Sequence, residues 1–323
     1  MKMKTKNKVL FFSAMVLFSW SCGSRTNADG TKMTEFHDEA TYGACSVSAD
    51  ESYSLIMDAE KDAFEATYPD AHLKIVYKPE GELVKDLMRP GDSTRFIVIS
   101  RDLNEEEKKF FDAKNSHPTV LKVAYDAVAI INNKANTNDS LSIEQLRQIL
   151  AQKITTWKQV DPKAKEEAIN VVFDNKQSGN ARFIKEKLLN NSDKFPSNCY
   201  AVNTNQDVIN YVSEHPNAMG VIGVNWISDK DDSTSKAIMK KIKVVAISSD
   251  SLPKAYYKPY QAYIYQKTYP LCREVYIINR EGRMGLGTGF AIYIASDKGQ
   301  RIVLKDGLVP ATMPVRLVNI NRE

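Results

Sequence analysis

The stretch Ile169-Asn-Val-Val-Phe-Asp-Asn-Lys-Gln-Ser-Gly-Asn-Ala-Arg-Phe-Ile-Lys-Glu-Lys-Leu-Leu189 decides how the chain reads. A β-branched apolar run ends at Phe173, a polar turn carries Gly179, and a helical pattern begins near Ala181. A strand that stops where a helix begins leaves unpaired backbone N–H groups facing the gap, with the positive end of the helix dipole behind them. That is a place for a small anion. Ser178 adds a hydroxyl, Gly179 lets the backbone come close, and Arg182 brings a charge. Strand–turn–helix units with polar caps are common, so the anion reading needs support from the rest of the chain.

Strands and helices alternate on both sides of this unit. Leu55, Ile56, Ala59, Ala63 and Phe64 make a helical stripe, ended by Tyr68-Pro69-Asp70. Residues 73–77 read as strand, 82–88 as a short helix and 96–99 as a buried strand. Asn104 caps a helix that opens with three glutamates. Residues 120–131 read as strand, and Ser142 with Gln145 makes a capping box for the next helix. Further on, 207–212 is helical, while 219–224, 242–247 and 272–278 read as strands. Gly285-Leu-Gly-Thr-Gly-Phe290 lacks both the dinucleotide spacing and the P-loop lysine; it reads as a loop opening a helix at Phe290. The alternation argues for an α/β fold with mostly parallel sheets, whose ligands gather at the carboxyl ends of strands.

The chain starts Met-Lys-Met-Lys-Thr-Lys-Asn-Lys, followed by an apolar run from Val9 to Phe18. A basic start and so short an apolar run read as a secretory leader over residues 1–21. Cys22 stands where a lipoprotein is processed and lipidated; ordinary cleavage near Ser21 is the alternative. Residues 22–40 then read as a tether. Without the four leader lysines, the 44 basic residues fall to 40, equal to the 40 acidic ones. A near-neutral mature chain gives no electrostatic footing for nucleic acid, and it touches the membrane only through a lipid.

Cys45, Cys199 and Cys272 permit one disulfide or three buried thiols, and their spacing fits no metal site. There is no Gly-x-Ser-x-Gly elbow and no zinc-binding helix motif, so no cofactor is expected and no enzyme is expected.

Several segments together carry a resemblance. They are Ala49-Asp-Glu-Ser52, Ile99-Ser-Arg-Asp-Leu103, Ala124-Tyr-Asp-Ala-Val-Ala-Ile130, Lys153-Ile-Thr-Thr-Trp157, Gln177-Ser-Gly-Asn180, Pro216-Asn-Ala-Met-Gly220, Tyr269-Pro-Leu-Cys-Arg273 and Gly307-Leu-Val-Pro310. In order and spacing the chain resembles the phosphate-binding solute receptors of ABC importers, a branch of the type II periplasmic binding proteins. It looks most like the divergent lipoprotein branch of Bacteroides-type bacteria. The resemblance implies two lobes, each a mixed, mostly parallel sheet flanked by helices, joined by hinge strands. Residues 41–125 with 260–323 would form lobe 1, and 126–259 lobe 2. It implies inorganic phosphate or a similar small oxyanion as ligand, an importer permease as partner, a monomer, and a place on the periplasmic face of a membrane.

Carried over by position, the ligand residues are Asp50, Glu51 and Ser52, then Ser100 and Arg101, then Gln177, Ser178, Gly179 and Asn180. Asp126 and Arg182 are further candidates. The chain departs from the pattern at the turn Ser48-Ala49-Asp50-Glu51, at Ser100, at Asn180 and, with the largest consequence, at Asp174. The family commonly has an arginine four residues before the Ser-Gly pair, and here that residue is Asp174. Losing a cation and gaining acids makes a desolvated polyanion harder to hold. A different oxyanion, a small organic acid, or a sensor or assembly role on the same fold therefore stay open. Asp50 is either an acceptor for a proton that phosphate carries or a plain helix-start acid. Arg101 is either a ligand or a lobe-to-lobe ion pair.

Overall fold

The structure, a computed structural model, describes residues 38–312 apart from 90, 92, 191–193, 229–235 and 237–238. The leader, Cys22 and most of the tether lie outside the described residues. In chain order the first elements are β1 (Gly43–Asp50), a 3-10 turn (Glu51–Tyr53), α1 (Ser54–Thr67), β2 (Ala71–Lys78), α2 (Glu80–Met88), β3 (Thr94–Ile99), α3 (Glu105–Ala113) and β4 (Thr119–Asn133). Then come β5 (Ser140–Ser142), α4 (Ile143–Leu150), α5 (Trp157–Val160), β6 (Asn170–Phe173), α6 (Gly179–Leu188), β7 (Cys199–Ala201), α7 (Asn205–Glu214) and β8 (Ala218–Gly223). The chain closes with strands β9 (Ile242–Val244), β10 (Ala246–Ser248), β11 (Tyr256–Tyr257), β12 (Cys272–Asn279) and β13 (Val309–Pro310), and with helices that include Leu286–Ala295 and Asp297–Lys305.

The fold is α/β. Its main sheet runs β2-β1-β3-β12-β4-β8-β6-β7. The wings are parallel, β1 with β2 and β3 on one side and β6 with β7 and β8 on the other. The centre is antiparallel and is organised by β4. Its first half, Thr119–Ala127, pairs with β12, and its second half, from Val128 on, pairs with β8 and β9. From Ala127 to Ile131 every residue of β4 is almost fully buried, as a strand covered on both faces must be. One strand thus links two sets of partners. On one wing Phe64, Phe96, Phe290 and Tyr293 stack their rings 5.2–5.9 Å apart. On the other, Val208, Ile209 and Val212 of α7 pack on Val172 and Ile222.

Three expectations shift, and one left open is decided. The run Ile242–Ile247 is two strands, not one: β9 joins β4, while β10 joins β5 and β11. Val244 and Val245 are buried side by side, which breaks the two-residue alternation and turns the chain to another sheet. The glycine run is not a loop, because the helix starts at Leu286 and contains Gly287 and Gly289. A Cβ on Gly289 would lie 1.8 Å from the Ala40 carbonyl oxygen, so the glycine serves close packing. Helices α2 and α6 begin at Glu80 and Gly179, two residues earlier than their apolar patterns. Cys45, Cys199 and Cys272 are all free thiols, pushed up to about 12 by burial.

Candidate functional site

Three chain turns meet where β1 ends. Asp50 closes β1 and opens the 3-10 turn, Pro79 sets the entry to α2, and Ser178 caps α6. Each turn leaves first-turn N–H groups without an intrahelical acceptor. Ser52 N–H donates to Asp50 Oδ1 at 2.9 Å. Glu80 N–H and Gly179 N–H donate to Asp50 Oδ2 at 2.9 and 3.0 Å. The first of these bonds is a local cap. The other two come from 30 and 129 positions away, and no local rule produces them. Asp50 is 1 % exposed. The arrangement is an anion cradle built from backbone, with a carboxylate of the same chain lying in it.

A polar ring surrounds the cradle. Glu80 takes Ser100 N–H at 3.0 Å and Ser100 Oγ–H at 2.7 Å on Oε2. Its Oε1 receives Arg182 Nε at 2.5 Å, with Arg101 Nε at 3.3 Å. Arg182 also donates to the Ser100 carbonyl, so it ties α6 to the end of β3. Below, Asp174 accepts from Ser178 Oγ at 2.5 Å, Asn180 Nδ2 at 3.0 Å and Asn205 Nδ2 at 3.3 Å. Asn205 further donates to Glu51 Oε2, and its Oδ1 accepts from Gly223 N–H. The Ser52 carbonyl accepts from Asn225 Nδ2 and Trp226 Nε1, which pins the turn to the chain after β8.

So many acids in one buried place disturb each other's charge. Burial, then the neighbouring Glu80, pushes the Asp50 carboxyl up despite its three N–H donors. Asp174 is pushed up to about 7, by burial first and by Asp50 second. Glu51 is raised by burial, which outweighs the two bonds from Asn205. Glu80 is the exception. Burial would raise it too, but the Arg182 guanidinium and the Ser100 bonds hold it below the ordinary value. Glu80 is therefore the acid the site holds most firmly ionised, while Asp50, Glu51 and Asp174 are all raised.

The structure brings most of the expected residues here. Asp50, Ser52, Ser100, Ser178, Gly179, Asn180 and Arg182 all lie in the cradle or its ring, and Glu51 reaches it through Asn205. Gln177 is exposed and contributes only its carbonyl, which accepts from Gly81 N–H at 3.0 Å. Arg101 is held by Glu107 through two bonds of 2.7 Å and makes a longer contact to Glu80, all within 80–107. Asp126 sits apart from the cradle, where it accepts from Tyr53 Oη at 3.0 Å and Arg273 Nε at 2.7 Å. Sequence reasoning missed Glu80, Asn205 and Arg273. For Glu80 the only signal is a proline followed by an acid ahead of a helix, which ordinary first-turn electrostatics explains as well. Among the described residues no group of three His, Cys, Asp or Glu side chains is placed to hold a metal. A cavity of about 550 Å³ opens elsewhere, lined by Tyr125, Arg147, Lys187, Asp250, Lys267 and Arg273 among others; Asp50 and Gly179 do not line it.

Comparison with known proteins gives a consistent result. A family model described as a PBP superfamily domain matches residues 34–298. The phosphate-binding protein PstS of Staphylococcus saprophyticus is 30% identical over 213 residues, which is 64% of this chain and 62% of that protein. The chain thus spans less than two thirds of that relative's length. Among solved structures, a substrate-binding protein with bound phosphate from Clostridium perfringens superposes with a TM-score of 0.70 at 23% identity, covering 83% of this chain and all of that one. An ABC-type phosphate transport receptor from Vibrio cholerae gives 0.61 at 22%, covering 84% of this chain and all of that one. These superpositions are likenesses of fold.

Proposed function

The chain belongs to the PBP superfamily, and on that footing we propose that it is an exported receptor that captures a small oxyanion, inorganic phosphate first, and delivers it to an ABC importer. The observation that carries this reading is the convergence of three backbone N–H groups on one carboxylate. Each donor is held in place by its own helix start, which is why helix starts recur in anion sites. Ser52 and Glu80 belong to residues 41–125, and Gly179 to 126–259. Assigning these segments to two lobes, with 260–323 returning to the first, makes the cradle a contact that forms on closure. β4 then acts as hinge, and the importer permease reads the closed shape. Lipidation at Cys22 holds the receptor at the periplasmic face, and it works as a monomer that binds without altering its ligand.

The PstS relative carries the phosphate reading by name. The acids of this site favour ligands that keep a proton to give, since a buried carboxylate needs a donor. The deciding measurement is thermal shift with calorimetry against phosphate, arsenate, sulfate, molybdate and simple carboxylates. Phosphate and arsenate are expected to raise the melting temperature most. Silence toward every anion would leave a sensor or assembly role on this fold.

A further inference from the structure

We propose that Asp50 is the resident anion of the cradle: its carboxylate holds the position of the incoming oxyanion, and ligand binds by displacing it. The inference rests on the oxyanion-receptor reading and concerns how that site is regulated.

A helix-capping acid explains only one of the three bonds. Asp50 Oδ1 accepts from Ser52 N–H, as an N-cap does. Its Oδ2 accepts from the first residues of two other helices, Glu80 and Gly179. These two donors are the ones a ligand at this place needs most, because both point into the gap between distant segments. The space is also full. A Cβ on Gly179 would already lie 2.6 Å from Ser100 Oγ and 2.8 Å from Glu80 Oε2. No oxyanion sits on these donors while Asp50 keeps them.

The exchange swaps one anion for another on the same three donors, so little net hydrogen bonding is gained. What decides the balance is where the charge of Asp50 goes. From α2 it faces Glu80, and from β6 and the start of α6 it faces Asp174. From its own turn it faces Glu51, and Tyr53 carries Arg273 and Asp126 beneath it. Arg182 and Arg101 are already engaged by Glu80. A displaced, ionised Asp50 therefore meets mostly acids. A protonated Asp50 leaves the cradle without that penalty. Oxyanion affinity rises as pH falls through the raised range of this carboxyl, and an oxyanion with no titrating proton of its own, such as sulfate, shows the effect free of ligand protonation.

The test uses the mature chain with Asp50→Ala. Formate, a carboxylate small enough for the vacated space, should raise the melting temperature of this variant and leave the wild type unmoved. Phosphate should bind the variant about tenfold or more tightly than the wild type near pH 8. The gap should narrow as the pH falls. A variant deaf to formate, or one that loses the phosphate binding the wild type has, overturns the inference. A formate response without any phosphate response keeps the resident anion and sinks the phosphate reading instead. Should Asp50→Ala fail to fold, Asp50→Asn carries the same comparison, since its amide sets N–H against N–H in the cradle and should tighten sulfate binding at about pH 8. Wild-type sulfate affinity that does not rise as the pH falls also overturns it.

Discussion

Two groups of buried charges lie on either side of the turn at Ser52 and Tyr53, and they are built in opposite ways. In the cradle, every carboxylate oxygen of Asp50, Glu80 and Asp174 has a donor. One residue further on, Tyr53 reaches Asp126 and Arg273, and there Asp126 Oδ1 and both Nη atoms of Arg273 have no hydrogen-bond partner. Asp126 is as deeply buried as Asp50, and Arg273 is slightly less so. The difference is in what supplies the donors. Helix starts at Glu80 and Gly179 deliver N–H groups to the cradle at fixed positions. Asp126 and Arg273 face each other across β4 and β12, whose backbone donors are already used in the ladder. Backbone at helix starts satisfies Asp50, and Ser100, Arg182, Ser178, Asn180 and Asn205 serve the acids around it, whereas the strand pair offers its side chains little beyond each other.

The sharpest way to break this contrast is to remove the one cation of the second group. Arg273→Met leaves the buried Asp126 carboxyl with Tyr53 as its one remaining hydrogen-bond donor. Loss of one partner of a buried pair costs about 3–5 kcal/mol. Urea unfolding should show a loss of that size, and Asp126→Asn added to Arg273→Met should recover a large part of it. A loss under about 1 kcal/mol would mean that solvent, not Arg273, balances Asp126.

The cradle is tested by volume. Gly179→Ala places a Cβ against Ser100 Oγ and Glu80 Oε2 at distances real Cβ atoms do not adopt. Those groups are held by Arg182 and by each other, so they do not yield freely. The expected cost is about 1–3 kcal/mol. Gly81→Ala is the control. Its Cβ meets the Gln177 Oε1 at 3.3 Å, the far end of an exposed side chain, and should cost well under about 1 kcal/mol. Equal losses for the two variants would show that the cradle is no tighter than its surroundings.

How much of this was legible beforehand depends on how far apart the partners are in sequence. The capping boxes at Ser142–Gln145 and Asn104–Glu107 are readable, and both are present, because each is complete within four residues. The Ser178-Gly179 turn is readable as an anion place for the same reason. That its first N–H meets Asp50 is not readable, since the bond closes a loop of 129 residues. Glu80 stayed hidden because an acid in a first turn is favourable by itself, and nothing local reveals that Arg182 will reach it. Asp174 was noticed as an acid at an arginine's place. Its role as acceptor for Ser178, Asn180 and Asn205 needed α7 to be folded against α6, which only packing decides.

The mildest test turns on that acid. The folded Asp174 carboxyl titrates at about 7, above its ordinary value of 3.8. A carboxyl raised by folding contributes stability that is whole below the unfolded value and is lost as pH rises through the folded one. Asp174→Asn copies the neutral form. Its Oδ1 keeps the bonds from Asn180 and Asn205. Its amide meets Ser178 Oγ, which is free to accept because its own proton has the Asn175 carbonyl at 2.9 Å. At about pH 3.5, below the unfolded value, the variant should match the wild type within roughly 0.5 kcal/mol. From about pH 5 to about pH 6 it should gain about 1 kcal/mol on the wild type, a pKa unit being worth about 1.4. Thermal melts across that range decide it. A difference that does not grow with pH would mean that Asp174 stays ionised throughout. Its side-chain donors, Ser178, Asn180 and Asn205, would then outweigh burial and the neighbouring Asp50.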